Sequence, residues 1–214
     1  MSQSHSGNEV ANDLYPRFEQ ACLDLGIAEP ETIFATIEAQ YSTGRVYHTF
    51  NHLHYMFKVS DTVLSAYPLN SESILAIFLH DAIYNPGSDA NEADSAAYAR
   101  QLFHELPESI LDRICTYIMA TEQHESDNPE AQVIIDLDLA SLGSKPELFE
   151  SNSHRLMAEF SHLAEEDFLH GQAAYLQRFL HRTRIYYTPE MRNACETQAR
   201  KNLESFISTH LRPS

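Results

Sequence analysis

The stretch Arg45-Val-Tyr-His-Thr-Phe-Asn-His-Leu-His54, continued by Tyr-Met-Phe-Lys-Val-Ser-Asp-Thr-Val63, decides how the rest of the chain is read. From about residue 50 to 66 its apolar side chains recur with a helical period. His52, Met56, Val59 and Val63 follow i, i+4, i+7, i+11 and share one stripe. His54 falls instead with Lys58, Asp61 and Ser65 on a polar stripe. One histidine points where the apolar side chains point, and its near neighbour points to water. His48 lies four residues before His52, one turn away on the same face if the segment is helical. An inward helical histidine by itself is equally the mark of a hydrogen-bonded core residue, so its meaning depends on what other segments bring to it.

Two segments bring ligand-type side chains. A helix from about Ser71 carries the apolar run Ile74-Leu-Ala-Ile-Phe-Leu79 and ends at His80-Asp81, before the turn Asn85-Pro-Gly87. Adjacent residues differ by about 100° around a helix, so both reach one ion only at a helix end, which is where this pair falls. A buried, unpaired carboxylate costs several kcal/mol, so Asp81 needs a metal, a cationic partner or local backbone amides to cap. The second segment is a helix from about Pro129 to Leu142. In it Asp138 shares a face with Ile134 and Leu142, whereas Asp136 falls with Gln132 and Ala140 on nearly the opposite side. The spacing therefore predicts Asp138 inward and Asp136 solvated. The order His, His-Asp, Asp is a two-imidazole, two-carboxylate set suited to a divalent metal.

The remaining chain reads as all-α, a single bundle of about ten helices. Only 6 of 214 residues are glycine, Ala, Leu and Glu are frequent, and β-branched runs are few. Residues 1–10 read as a disordered leader and 11–214 as one domain. Further helices are expected over about 12–25, 30–41, 90–105, 107–124, 145–163 and 166–181. A last one follows Thr188-Pro189 and runs to about 210, with Met191, Ala194, Gln198 and Phe206 near its buried face. Glu92 fits a capping box with Asp89, or else faces the interior with Ser95, Ala99 and Leu102. His124 is near the inward face at the end of its helix, where the dipole also favours an imidazolium.

The formal charge of −17 argues against stable nucleic-acid or membrane binding, because both partners are polyanionic. It leaves room for a small anionic substrate where a metal and a few arginines make the site locally positive. Cys22, Cys115 and Cys195 are scattered and odd in number, which reads as reduced thiols. No apolar run is long enough to span a bilayer and no signal-peptide pattern opens the chain, so the expected location is cytoplasmic.

Taken together, His52, His80-Asp81 and Asp138 resemble the pattern of the HD superfamily of metal-dependent phosphohydrolases, including its acid-x-acid-Leu segment at Asp136-Leu-Asp138-Leu. The block Tyr47-His48-Thr-Phe-Asn-His52 is similar to the Tyr-His-Asn-x-x-His block of cyclic-nucleotide phosphodiesterases, departing from it at Thr49. A group of bacterial predicted HD phosphohydrolases is similar over about residues 12–207, through Arg45–His52, His80–Tyr84, Asn91–Ser95, Asp136–Gly143 and Ala199–Leu203. The resemblance implies an HD-type bundle with His52, His80, Asp81 and Asp138 as metal ligands. It further implies His48 as the acid that protonates the leaving group.

The implied activity is metal-dependent hydrolysis of a phosphate ester, of a nucleotide or a related small phosphorylated metabolite. Asp81 suits a general base or a ligand bridging a second ion. Arg45, Arg182 and Arg200 are candidates for clamping phosphate oxygens, with Glu92 and His124 beside the substrate; for each arginine a surface ion pair is the competing reading. The ligand set admits one or two ions of Mn, Fe, Co, Ni, Zn or Mg. Two other readings stand beside hydrolysis. One is a di-iron HD-type oxygenase, for which His124 and Glu92 would supply the extra ligands, and the other is a metal-stabilised module without turnover. Homo-oligomerisation is left open.

Overall fold

The computed structural model describes residues 7–211, which form helices α1 (Gly7–Asp24), α2 (Pro30–Ser42), α3 (Phe50–Thr62), α4 (Ser71–Leu79), α5 (Asn91–Leu102), α6 (Glu108–Gln123), α7 (Pro129–Asp138), α8 (Pro146–Glu159), α9 (Glu165–Leu180) and α10. The last is continuous in three stretches, Pro189–Met191, a π turn Arg192–Glu196, and Thr197–His210. A 3-10 turn, Leu139–Gly143, follows α7. No strand occurs among the described residues, and the all-α expectation holds.

Local chemistry sets several boundaries. The Asn70 side chain accepts from the Ser73 amide and starts α4, and Asn128 accepts from the Glu130 and Ala131 amides and starts α7. Thr188 accepts from the Met191 amide to start α10. The capping box proposed at Asp89 and Glu92 does not form. Ala90 holds the cap position of α5 with no side-chain bond, which leaves Glu92 free to face elsewhere.

The buried apolar side chains, Phe168 and Ala173 of α9 excepted, make one contiguous cluster. Phe18, Phe34, Phe50 and Phe78 from α1 to α4 meet edge-on or tilted, with ring centroids 5.1–6.4 Å apart. α4 is the most enclosed element: Leu75 to Leu79 have no exposed surface. α7 is enclosed too, packed against α3, α4 and α6.

Three expectations need correction. The leader does not reach residue 10. Residues 7–10 belong to α1 and Val10 is buried, because the first turns of that helix pack into the core; residues 1–6 lie outside the described ones. Asp136 is not solvated but fully buried, because both sides of α7 are covered. The buried face of α10 is Met191, Ala199, Asn202 and Leu203, while Ala194 is exposed. The π turn inserts a residue into the helical count and rotates every later position by about 100°. That turn meets Gly143, where an added Cβ would lie 2.5 Å from the Cys195 Cβ and 2.9 Å from its carbonyl oxygen.

Candidate metal centre and cleft

The C-terminal ends of α4, α6 and α7 converge on the first turn of α3. His80 is the residue after α4, Asp138 ends α7, His124 follows α6, and His52 lies in the first turn of α3. Three helix ends of partial negative charge therefore point at one place, which favours a cation there before any side chain is considered.

The side chains sharpen this. A ring nitrogen of His52, a ring nitrogen of His80 and an Asp81 carboxylate oxygen lie within 4.8 Å of one another. Asp138 Oδ1 is 3.0 Å from His52 Nε2 and 3.6 Å from His80 Nε2, and Asp138 Oδ2 is 2.9 Å from His124 Nε2. Ligands bound to one ion at about 2.0–2.6 Å stand at about these mutual separations.

His80 gives the most direct indication. Its Nδ1 lies 2.9 Å from the Ile77 carbonyl, which can only accept, so Nδ1 carries a proton and Nε2 faces the cluster. Nε2 is fully buried and makes no hydrogen bond, although Asp81 Oδ2 is 3.1 Å away. A buried nitrogen facing two carboxylates is satisfied by a second proton or by a metal ion. Burial opposes the charged imidazole, but Asp81 and Asp138 outweigh it and hold the His80 pKa well above its ordinary value. Burial likewise opposes ionisation of Asp81 and Asp138. The charge on His80 overcomes it at Asp81, and hydrogen bonds from His124 and His52 together with the charge on His80 overcome it at Asp138, so both stay well below the carboxylate range. The donor set and the unpartnered Nε2 fit a divalent cation.

His48 stands beside this set. Its Nδ1 is 2.7 Å from Glu159 Oε2, and its Nε2 is 4.0 Å from Asp81 Oδ2. The ring lies against Tyr84 with centroids 4.1 Å apart. Glu159 also accepts the amide protons of Val46, Tyr47 and His48 through Oε1, at 2.7, 2.7 and 3.0 Å. Sequence reading missed this residue. It is one of the glutamates of α8, with Glu147 and Glu150, over a hundred positions from His48, and only its burial by the fold sets it apart from them.

A cleft of about 520 Å³ opens onto the cluster and is lined by His48, Asp81, Glu92, His124 and Asp138. Burial raises the Glu92 pKa. His124 adopts left-handed backbone (φ 51°), uncommon for a residue with a side chain, and this turns its ring onto Asp138.

The three arginines proposed as phosphate clamps lie elsewhere. Arg45 donates to the Asp81 and Ala82 carbonyls and stacks on Tyr41 and Tyr84, so it holds the His80-Asp81 turn in place. Arg182 donates to the carbonyls of Gln123 and His124 and pairs with Glu125. Arg200 pairs with Glu196 and donates to the carbonyls of Leu180, Arg182 and Thr183. None of them lines the cleft, because their donors are spent on the backbone around it.

Other motif residues prove to be scaffold. Ser95 Oγ accepts from the Ile83 amide and donates to the Ile83 carbonyl, and Asn91 bridges the Asn85 amide and carbonyl; together they hold the loop after Asp81. Asn202 donates to the carbonyls of Leu142 and Ser144 and closes the segment after Asp138. Comparison of the chain with protein-family models, curated proteins and solved structures finds no match.

Proposed function

We propose that the protein is a metal-dependent phosphohydrolase of the HD type, acting on a phosphate ester of a nucleotide-like or related small metabolite. The observation that carries this reading is the buried, unpartnered Nε2 of His80 in the group His52, His80 and Asp81, with Asp138 3.0 Å from His52 and 3.6 Å from His80, at the wall of a cleft. His52, His80, Asp81 and Asp138 would hold the ion. When bound, it supplies Lewis-acid polarisation of a phosphoryl oxygen and a lowered pKa for water.

The chain's own residues supply the proton handling. Asp81 lines both cluster and cleft, so its carboxylate is placed to accept the proton of an attacking water. His48 faces the cleft through Nε2 while Glu159 holds Nδ1, the orientation a donor to the leaving oxygen needs. Glu159 is a positioning residue: it fixes the ring and does not reach the reacting atoms.

A second reading has its own support. His124 bonds Asp138 and Glu92 lines the same cleft, and these are the additional ligands a di-iron oxygenase would need. One experiment separates the two. Metal-free protein is reloaded with Mn, Co, Ni, Zn, Mg or Fe, then assayed for release of nitrophenol from nitrophenyl phosphate and for oxygen uptake. The hydrolase reading expects metal-dependent nitrophenol release with no oxygen consumed. Oxygen uptake with iron alone, without phosphate release, would replace it.

A further inference from the structure

The cleft has two chemically different walls. One carries the cluster, and its charged side chains are Asp81, Asp89, Glu92 and Asp138 with the histidines. The other, from α8 and α9, presents Leu156, Phe160, Phe168 and Phe179. Leu163 and Tyr175, 43% and 37% exposed, also stand in the lining and leave apolar surface open to solvent at the cleft. Among the described residues, no lysine or arginine lines it.

That absence bears on the number of phosphates the site can take. Phosphates beyond the reacting one are ordinarily held by guanidinium or ammonium groups, or by free helix N-termini. Arg178, on α9 beside the lining residue Tyr175, donates to Gln123, while Arg45 and Arg182 donate to backbone carbonyls. The N-terminal turns of α5 and α9 reach the lining but already carry Glu92 and Asp94, and Glu165, Glu166 and Asp167. Their positive ends are met by the chain's own acids. A second and third phosphate would face like charge, at a site where burial weakens screening.

We infer that the cleft takes an ester bearing a single phosphate on an apolar, aryl-like body, and excludes polyphosphates. The inference rests on the hydrolase reading for the phosphate and on the lining for the body. The phosphate sits at the cluster and the body lies along Leu156, Phe160 and Phe179.

The test uses the full chain loaded with the metal that gives most activity, and three probes: the naphthyl ester 2-(1-naphthyl)ethyl phosphate, whose alkoxide leaving group matches that of the second probe, glycerol 2-phosphate, and ATP. Expected kcat/KM is about thirtyfold higher for the naphthyl ester than for the glycerol ester, the effect of removing on the order of 80 Å² of apolar surface from water. ATP should fall below both. Leu156→Lys, at a partly exposed position, adds an ammonium to the lining and should narrow the naphthyl-to-ATP ratio by at least about tenfold. If that variant does not fold, Leu163→Lys serves in its place. Equal or better use of ATP or glycerol phosphate overturns the inference, as does an unmoved ratio in a folded, metal-loaded lysine variant. If no ester is turned over with any metal, the hydrolase reading falls by itself, and calorimetric binding of the same three compounds decides. Preference for the naphthyl ester then upholds the inference, and equal or tighter ATP binding overturns it.

Discussion

His48 and Glu159 show how much a single pair can be asked to do. The histidine is held through Nδ1 at 2.7 Å while its other nitrogen stands 4.0 Å from an Asp81 oxygen, next to the cluster without bonding within it. His48→Ala should therefore keep metal content and fold, yet lose about 10²–10⁴ in turnover on a substrate with an alkoxide leaving group. Nitrophenyl phosphate, whose leaving group needs little protonation, should be affected far less. Equal loss on both substrates, or loss of metal, would remove His48 from the acid role. Glu159 gives a pH-dependent companion result. Burial pushes its carboxyl up, but the His48 ring and the amides of Val46 and Tyr47 outweigh this and bring it below its ordinary value. A depressed folded-state pKa contributes stability that is present above the unfolded value of about 4.3 and is lost as pH falls through the folded value. The melting-temperature advantage of the native protein over Glu159→Gln should be largest near neutral pH and shrink towards pH 3. A constant difference across that range would contradict the assignment.

Among the helices, α7 carries the most consequence for its length. Its two acids, two positions apart, serve opposite sides: Asp138 faces the cluster, and Asp136 accepts from the amides of Tyr187 and Thr188 and from the Thr188 hydroxyl, each at 2.7 Å. Burial raises the Asp136 pKa, and those three donors work against the rise. The same Thr188 caps α10, so Asp136 couples the ligand-bearing helix to the start of the last one. Asp136→Ala strands three buried donors and should cost about 3 kcal/mol in denaturant unfolding, with loss of α10 protection from amide exchange. A loss below about 1 kcal/mol would show that water or a neighbour takes over. α4 contributes differently: it is apolar throughout and buried, and its end delivers His80 and Asp81 from a rigid base held by Arg45.

Across the whole molecule, the four residues proposed to hold the ion come from three helices that meet only in the folded chain, so on that proposal metal binding and folding should be linked. Chelation of the metal-loaded protein should lower its melting temperature by several degrees, and Asp138→Ala should melt at a temperature indifferent to chelator. An unchanged melting curve for the native protein would mean that the cluster is a hydrogen-bonded polar core. The net charge of −17 is not spread evenly in its effect: carboxylates and three helix C-termini gather at the cleft, an arrangement that favours a cation over an anion.

The sequence by itself determined the helical class, the inward phase of His52 and Asp138, and the placement of His80-Asp81 at a helix end, because each is a matter of period and punctuation within one segment. It also singled out His124, and left open whether Glu92 would cap its helix or face the interior. Only the tertiary structure decided the rest. Asp136 became buried because a second layer covers the far side of α7, which periodicity along one helix does not contain. The face of α10 was rotated by a π turn that forms where its Cys195 backbone meets Gly143. Glu159 reached His48 across 111 residues, and the arginines were drawn off to carbonyls that no local pattern points to. Local periodicity sets which way a side chain leaves its own helix; what it meets there depends on the packing of all the others.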